Sequence, residues 1–155
     1  LAEAASRLLT LQIEAGAQVV QLFDSCAGDL DLDDYRTLAI PPAALALQQV
    51  KGAPRIYFPR AGYLPQRLAT LPCEGLSISW QVPIQDAVRR FGLTKVLQGN
   101  LDPAALLAGK TVACRKARAI MEEMRDYPHI FNLGHGILPG TDPDVLAAVI
   151  EEVKR

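Results

Sequence analysis

The sequence predicts an α/β chain built around a parallel sheet, and three observations lead there. Five short apolar segments, at 18–23, 55–58, 75–80, 94–99 and 129–134, are each followed by a stretch of helical patterning. These segments lack strict polar–apolar alternation, as expected of strands covered on both faces. Helix-starting and helix-stopping residues punctuate the intervals between them.

The elements follow in order. Residues 2–15 are rich in Ala and Leu and run into Gly16, a helix stop, before the strand QVVQLF at 18–23 ends on Asp24-Ser25. Residues 33–50 carry helical patterning interrupted by Pro41-Pro42, which predicts a break and a second helix. RIYF at 55–58 is the second strand, and Pro59-Arg60-Ala61-Gly62 the turn after it. A short helix at 64–70 leads to GLSISW at 75–80. Pro83 opens a helix to Phe91, with Gly92 expected as its left-handed cap. TKVLQG at 94–99 is the fourth strand. Gly99-Asn100 then reads as a turn, and Asp102-Pro103 as the start of a short helix. In the longer helix that follows, Ala113, Ala117, Ile120, Met121 and Met124 share one stripe, with Arg115, Lys116 and Arg118 off it. HIFNLG at 129–134 is the fifth strand. Thr141 to Asp144 resembles a capping box ahead of a helix at 144–153.

Composition narrows the function. A chain of 155 residues, 50% hydrophobic and 21% charged, can bury a core as one domain. A net charge of −1 argues against a nucleic-acid binder, and no apolar run approaches the ~18–20 residues of a membrane span. Cys26, Cys73 and Cys114 are too far apart for a CxxC metal knuckle, and three is an odd number for a disulfide framework. A reduced, cytoplasmic setting is expected. No His/Cys/Asp cluster has metal-ligand spacing, so no metal is expected. Beginning at Leu1 inside a helical stretch, the sequence reads as part of a longer protein.

Periodicity leaves two architectures open, a doubly wound sheet and part of a (β/α)₈ barrel. Neither GxGxxG after the first strand nor GxxxxGK[ST] is present to favour a nucleotide-binding sheet. A complete barrel takes ~250 residues, so this chain would supply about five of eight units. In both architectures chemistry gathers at the C-terminal ends of strands. The residues there are Asp24, Ser25, Arg60, Ser79, Trp80, Gln98, Asn100, Asp102, Asn132 and His135. His129 starts its strand, on the opposite rim, and is expected to be structural. His135, between Gly134 and Gly136, favours function over the ordinary role of capping a carbonyl. For Ser25 a turn cap outweighs a nucleophile, Asp102 reads as a helix cap, Trp80 as core, and Arg60 as an exposed turn residue or a carboxylate receiver.

Four segments carry a family resemblance: AGAQVVQLFDSCAG (15–28), IYFPRAG (56–62), VLQGNLDP (96–103) and NLGHGILPGTDPDVL (132–146). Together they resemble uroporphyrinogen decarboxylase, LQGNLDP and NLGHGI being the most specific. The resemblance implies a partial (β/α)₈ TIM barrel, five parallel strands each followed by helix, forming the C-terminal part of a single domain over 1–155. It implies cofactor-free removal of CO₂ from the four acetate side chains of uroporphyrinogen III, giving coproporphyrinogen III, by a protein that is a homodimer when intact. Ser25 falls on the family's serine after QLF-acidic, and His135 on its NLGHG histidine. Both are implied to hydrogen-bond substrate carboxylates or the macrocycle, with Phe23 beside them on the cleft wall. The family's catalytic aspartate and binding arginines belong to units upstream of Leu1. No catalytic residue is therefore assigned within 1–155, and the chain alone is expected to be inactive.

One departure stands out: Ser79-Trp80 occupies a place where the family usually has Asp-Trp. Two alternatives remain. The related zinc-dependent corrinoid or thiol methyltransferases carry His-x-Cys after the strand matching IYFPRAG and Cys at position 135, and this sequence has neither. A non-catalytic half-barrel binding module would leave the strands at 18–23 and 129–133 as unpaired edges.

Overall fold

The computed structural model describes residues 1–92 and 94–154. One sheet holds five parallel strands in sequence order: β1 (Val20–Asp24), β2 (Arg55–Pro59), β3 (Gly75–Ser77), β4 (Val96–Leu101) and β5 (His129–Leu133). Helix α1 (Ala2–Glu14) precedes β1. Between β1 and β2 run α2 (Leu32–Asp34), a π-helical turn at Tyr35–Ala39 and α3 (Ile40–Gln49). A 3₁₀ turn at Gln66–Thr70 links β2 to β3, and α4 (Ile84–Phe91) links β3 to β4. Helices α5 (Ala104–Leu107) and α6 (Lys110–Glu123) join β4 to β5, which α7 (Pro143–Val153) follows.

Strand order decides what periodicity left open. A doubly wound sheet reverses order at a switch point, whereas each strand here pairs with the next in the chain, as in successive units of a barrel. β2 to β4 are almost wholly buried, while the edge strands stay partly open, with Phe23 63% and Ile130 43% exposed.

The main core lies between the sheet and its helices, where Tyr35, Leu47, Tyr57, Leu68, Leu76 and Phe91 are essentially inaccessible. A second cluster joins Leu101 to Leu106, Ala113, Ala117, Val145 and Val149 under α5, α6 and α7. Small Ala residues on α6 let α7 approach, and Arg118 bridges outward to Glu152 at 2.8 Å.

The rim at the N-terminal ends of the strands is tied down by its own side chains. The Arg55 guanidinium pairs with Glu74 at 2.7 Å and donates to the carbonyls of Leu47 and Val50, holding the C-terminus of α3. Hydrogen bonding to Arg55 holds the Glu74 carboxyl below its usual range. Lys95 Nζ donates to the carbonyls of Leu71 and Cys73. His129, expected to be structural, donates from Nε2 to the Gly99 carbonyl at 2.6 Å, and burial pushes its imidazole pKa down.

Several local expectations are corrected. Pro41-Pro42 do open a second helix, sitting in the first turn of α3 where no intrahelical N–H is needed, but the expected break before it is absent because the π-helical turn carries the chain straight in. Gly92 is right-handed, with φ −58°, so it is no left-handed cap. The strand expected at 75–80 stops at Ser77, and the first strand is Val20–Asp24 rather than 18–23. Gly99-Asn100 lies within β4 rather than in a turn. Gly99 takes φ +123°, and a Cβ there would meet the Ile78 carbonyl oxygen at 2.9 Å. The last helix is capped by Asp142, whose Oδ1 accepts from the Asp144 N–H, instead of by a Thr141 capping box. Asp102 does cap, accepting from the Ala104 N–H at 2.9 Å.

Candidate functional site

Inward-facing side chains of β1 alternate, so Gln21 and Phe23 turn toward the concave face while Leu22 and Asp24 turn toward the helices. With Ser25 just past the strand end, they join Phe58, Ser77, Gln98, Asn132 and His135 around a cleft of about 410 Å³. Phe23, Ser25 and His135 thus share one cleft at the C-terminal rim. A larger groove of about 750 Å³ runs beside β5 and α6, lined by Arg118, Tyr127 and His129. It borders an open edge strand and the structural rim, away from where the strand ends converge, and carries no site argument.

Ser25 is held by its backbone. The Arg60 Nε donates to the Ser25 carbonyl at 2.6 Å, and the Arg60 N–H to the Asp24 carbonyl at 3.0 Å. Gly28 closes the loop by donating to the Arg60 carbonyl, so tightly that a Cβ would lie 2.8 Å from that oxygen. The Ser25 hydroxyl makes no hydrogen bond among the described residues and is exposed, so the turn-cap role expected from residue type is not seen. Arg60 brings a positive charge beside it, and its other guanidinium N–H groups bond to nothing among the described residues.

Behind the Ser25 turn, Asp24 is anchored in the core. The Tyr57 hydroxyl donates to Asp24 Oδ2 at 2.8 Å and therefore accepts from the Tyr35 hydroxyl at 2.7 Å. Both phenols are fully buried, and burial pushes both pKa values up, keeping them neutral.

On the other side, the His135 imidazole is fixed by rings rather than hydrogen bonds. It stacks on the Trp80 indole with centroids 5.7 Å apart and planes 17° from parallel, and Phe58 leans on it at 6.4 Å. Phe58 in turn meets Phe23 edge-on at 5.9 Å. Trp80, expected as core, is therefore half-buried behind the cleft wall. Ser79 is completely buried, its hydroxyl facing Gln81, so at this position it serves the turn.

The floor of the cleft is neutral and polar. Gln98 Nε2 donates to Gln21 Oε1 at 2.9 Å and to Ser77 Oγ at 3.1 Å. Sequence reading singled out Gln98 but missed Gln21, Phe58 and Ser77. The period-2 parity of β1 would have pointed to Gln21 two residues before Phe23, whereas Phe58 and Ser77 become neighbours only through the sheet register. Among the described residues no group of three or more His, Cys, Asp or Glu side chains could hold a metal. Nor is any helix long and apolar enough to cross a membrane.

The family model for uroporphyrinogen decarboxylase matches residues 1–155. The chain belongs to the uroporphyrinogen decarboxylase family. Relatives named uroporphyrinogen decarboxylase include one from Streptomyces coelicolor, 43% identical over 99% of this chain, and one from Corynebacterium diphtheriae, 44% identical over 94%. The chain spans 44% of the length of each of these relatives. Among solved structures, a methyltransferase from Methanosarcina mazei superposes on 99% of this chain and 46% of its own, with TM-score 0.86 at 19% identity. That likeness concerns the fold, and it confirms the barrel-type α/β architecture.

Proposed function

We propose that the chain forms the carboxylate-binding side of a uroporphyrinogen decarboxylase, acting in porphyrin and haem biosynthesis. The supporting observation is that Ser25 and His135, two polar side chains with no hydrogen-bond partner among the described residues, face one cleft in a chain of this family. The Ser25 hydroxyl and the His135 imidazole donate to acid arms of the tetrapyrrole, and Arg60 adds a cation beside Ser25. Phe23 and Phe58 offer apolar surface to the macrocycle.

The chemistry suits such a cleft. Loss of CO₂ from a pyrrole acetate breaks a C–C bond whose electron pair must be accepted, and a protonated pyrrole ring accepts it without metal or prosthetic group. The protein's part is to orient the ring and hold the remaining carboxylates while charge develops. The acid that faces the pyrrole N–H groups, and further arginines, come from units outside residues 1–155. Decarboxylase activity, homodimerisation and a cytoplasmic location are accordingly proposed for the whole protein.

The test uses the purified chain with uroporphyrinogen under reducing, anaerobic conditions and with its air-stable oxidised form, uroporphyrin. Binding without turnover is expected. Ser25→Ala and His135→Ala each weaken binding by roughly tenfold, the loss of one hydrogen bond to a charged group. Unchanged affinity in both variants refutes the site, and coproporphyrinogen release by the chain alone refutes the division of labour.

A further inference from the structure

The turn after β3 carries a chain of contacts that ends on His135. Asn100 is 93% buried in β4, and its Nδ2 donates to the carbonyls of Ser79 at 3.1 Å and Val82 at 2.7 Å. This amide therefore closes the turn from Ser79 to Val82, which a Val82 N–H to Ser79 carbonyl bond also spans. Trp80 sits inside that turn, so its backbone cannot drift. Gly134 then lies directly against it: a Cβ on Gly134 would run into the Trp80 backbone nitrogen and Cα. The next residue is His135, whose ring stacks flat on the indole.

We propose that Trp80 is the positioning residue of His135, holding the imidazole plane across the cleft so that its N–H edge meets the ligand. The proposal deepens the reading of the cleft given above and rests on it for the ligand's identity. An exposed histidine on a glycine-flanked loop would otherwise sample several rotamers, and each aligned donor would lose affinity to that freedom. Stacking on a ring that is itself clamped removes this freedom without using either ring nitrogen, so the ring edge stays open to the ligand. It also accounts for Asn100 in LQGNLDP and Gly134 in NLGHG: one fixes the turn, the other lets His135 come up against it.

The chain contains one tryptophan and two histidines, so NMR reads the pair directly. The histidine resonances of ¹³C-histidine-labelled chain are assigned with His129→Gln and His135→Gln. A nuclear Overhauser contact between indole and imidazole protons is expected in the unsubstituted chain, together with a ring-current displacement of the His135 signals. Trp80→Phe keeps part of that displacement, while Trp80→Leu abolishes it and leaves the His129 signals in place. Uroporphyrin affinity falls roughly threefold to tenfold in Trp80→Leu and little in Trp80→Phe. Absence of the indole–imidazole contact in the unsubstituted chain overturns the proposal, whatever the variants do. So does a folded Trp80→Leu chain that binds uroporphyrin as well as the original. Should the original chain bind no porphyrin, the functional reading fails while the NMR arm still decides the positioning.

Discussion

Replacing Tyr57 by Phe removes one oxygen atom from the middle of a buried chain of three side chains, and its two consequences can be sized separately. Asp24 loses a hydrogen bond of 2.8 Å, and the Tyr35 hydroxyl loses its acceptor at 2.7 Å in a place water does not reach. A buried hydroxyl left unpaired costs about 1–3 kcal/mol, and a bond to a carboxylate contributes about 1.5–3 kcal/mol. Asp24 is only partly buried, so water replaces some of its loss, and a total near ~3 kcal/mol follows. Tyr35→Phe leaves the Tyr57–Asp24 bond intact and costs ~1 kcal/mol. In the double variant no orphaned hydroxyl remains, so its destabilisation falls short of the sum by roughly 1–2 kcal/mol. Urea unfolding followed by circular dichroism measures all three, provided the slope is unchanged. The reasoning fails if Tyr57→Phe costs no more than Tyr35→Phe, or if the double variant equals the sum.

The same phenols make a pH prediction. Burial raises both pKa values, so the folded state keeps protons that the unfolded chain releases above about pH 10, and their stabilisation is intact below that and lost above it. Absorbance at the tyrosinate band should rise for these residues only as circular dichroism collapses; reversible ionisation in a folded chain would contradict it. At the acid side His129 behaves in the opposite sense, because burial lowers its pKa. Its contribution is present above about pH 6.5 and lost as the pH falls, so His129→Gln should flatten the stability–pH curve below that point. Gly134→Ala should destabilise the chain by about 1–3 kcal/mol, since its Cβ meets Trp80 backbone. Gly136→Ala, with open space around it, serves as the neutral control. Equal unfolding midpoints for the two would refute that packing.

Element types were legible in the sequence because they rest on local patterning. Five apolar runs separated by helical stretches reappear as five parallel strands, and the stripe through Ala113 and Ala117 does face the core. Boundaries were less legible where long-range geometry rules. Gly99-Asn100 has turn chemistry, yet pairing with Phe131 and Asn132 of β5 keeps it in the strand. Pro41-Pro42, by contrast, marks the start of a second helix correctly, because a first helical turn asks for no N–H there. At the site, motif residues Ser25 and His135 could be named from sequence. The aromatic train Phe23–Phe58–His135–Trp80 could not, because it joins four separate segments.

The sequence by itself determined the repeating strand–helix units, the family, and which side chains stand at strand ends, all properties of residue order along the chain. Tertiary structure decided that the strands pair in sequence order and that Tyr35 and Tyr57 reach Asp24. It also decided that an indole rather than a hydrogen bond holds His135. Those outcomes depend on sheet register and on the close approach that glycines permit, which bring together atoms that spacing along the sequence leaves unrelated.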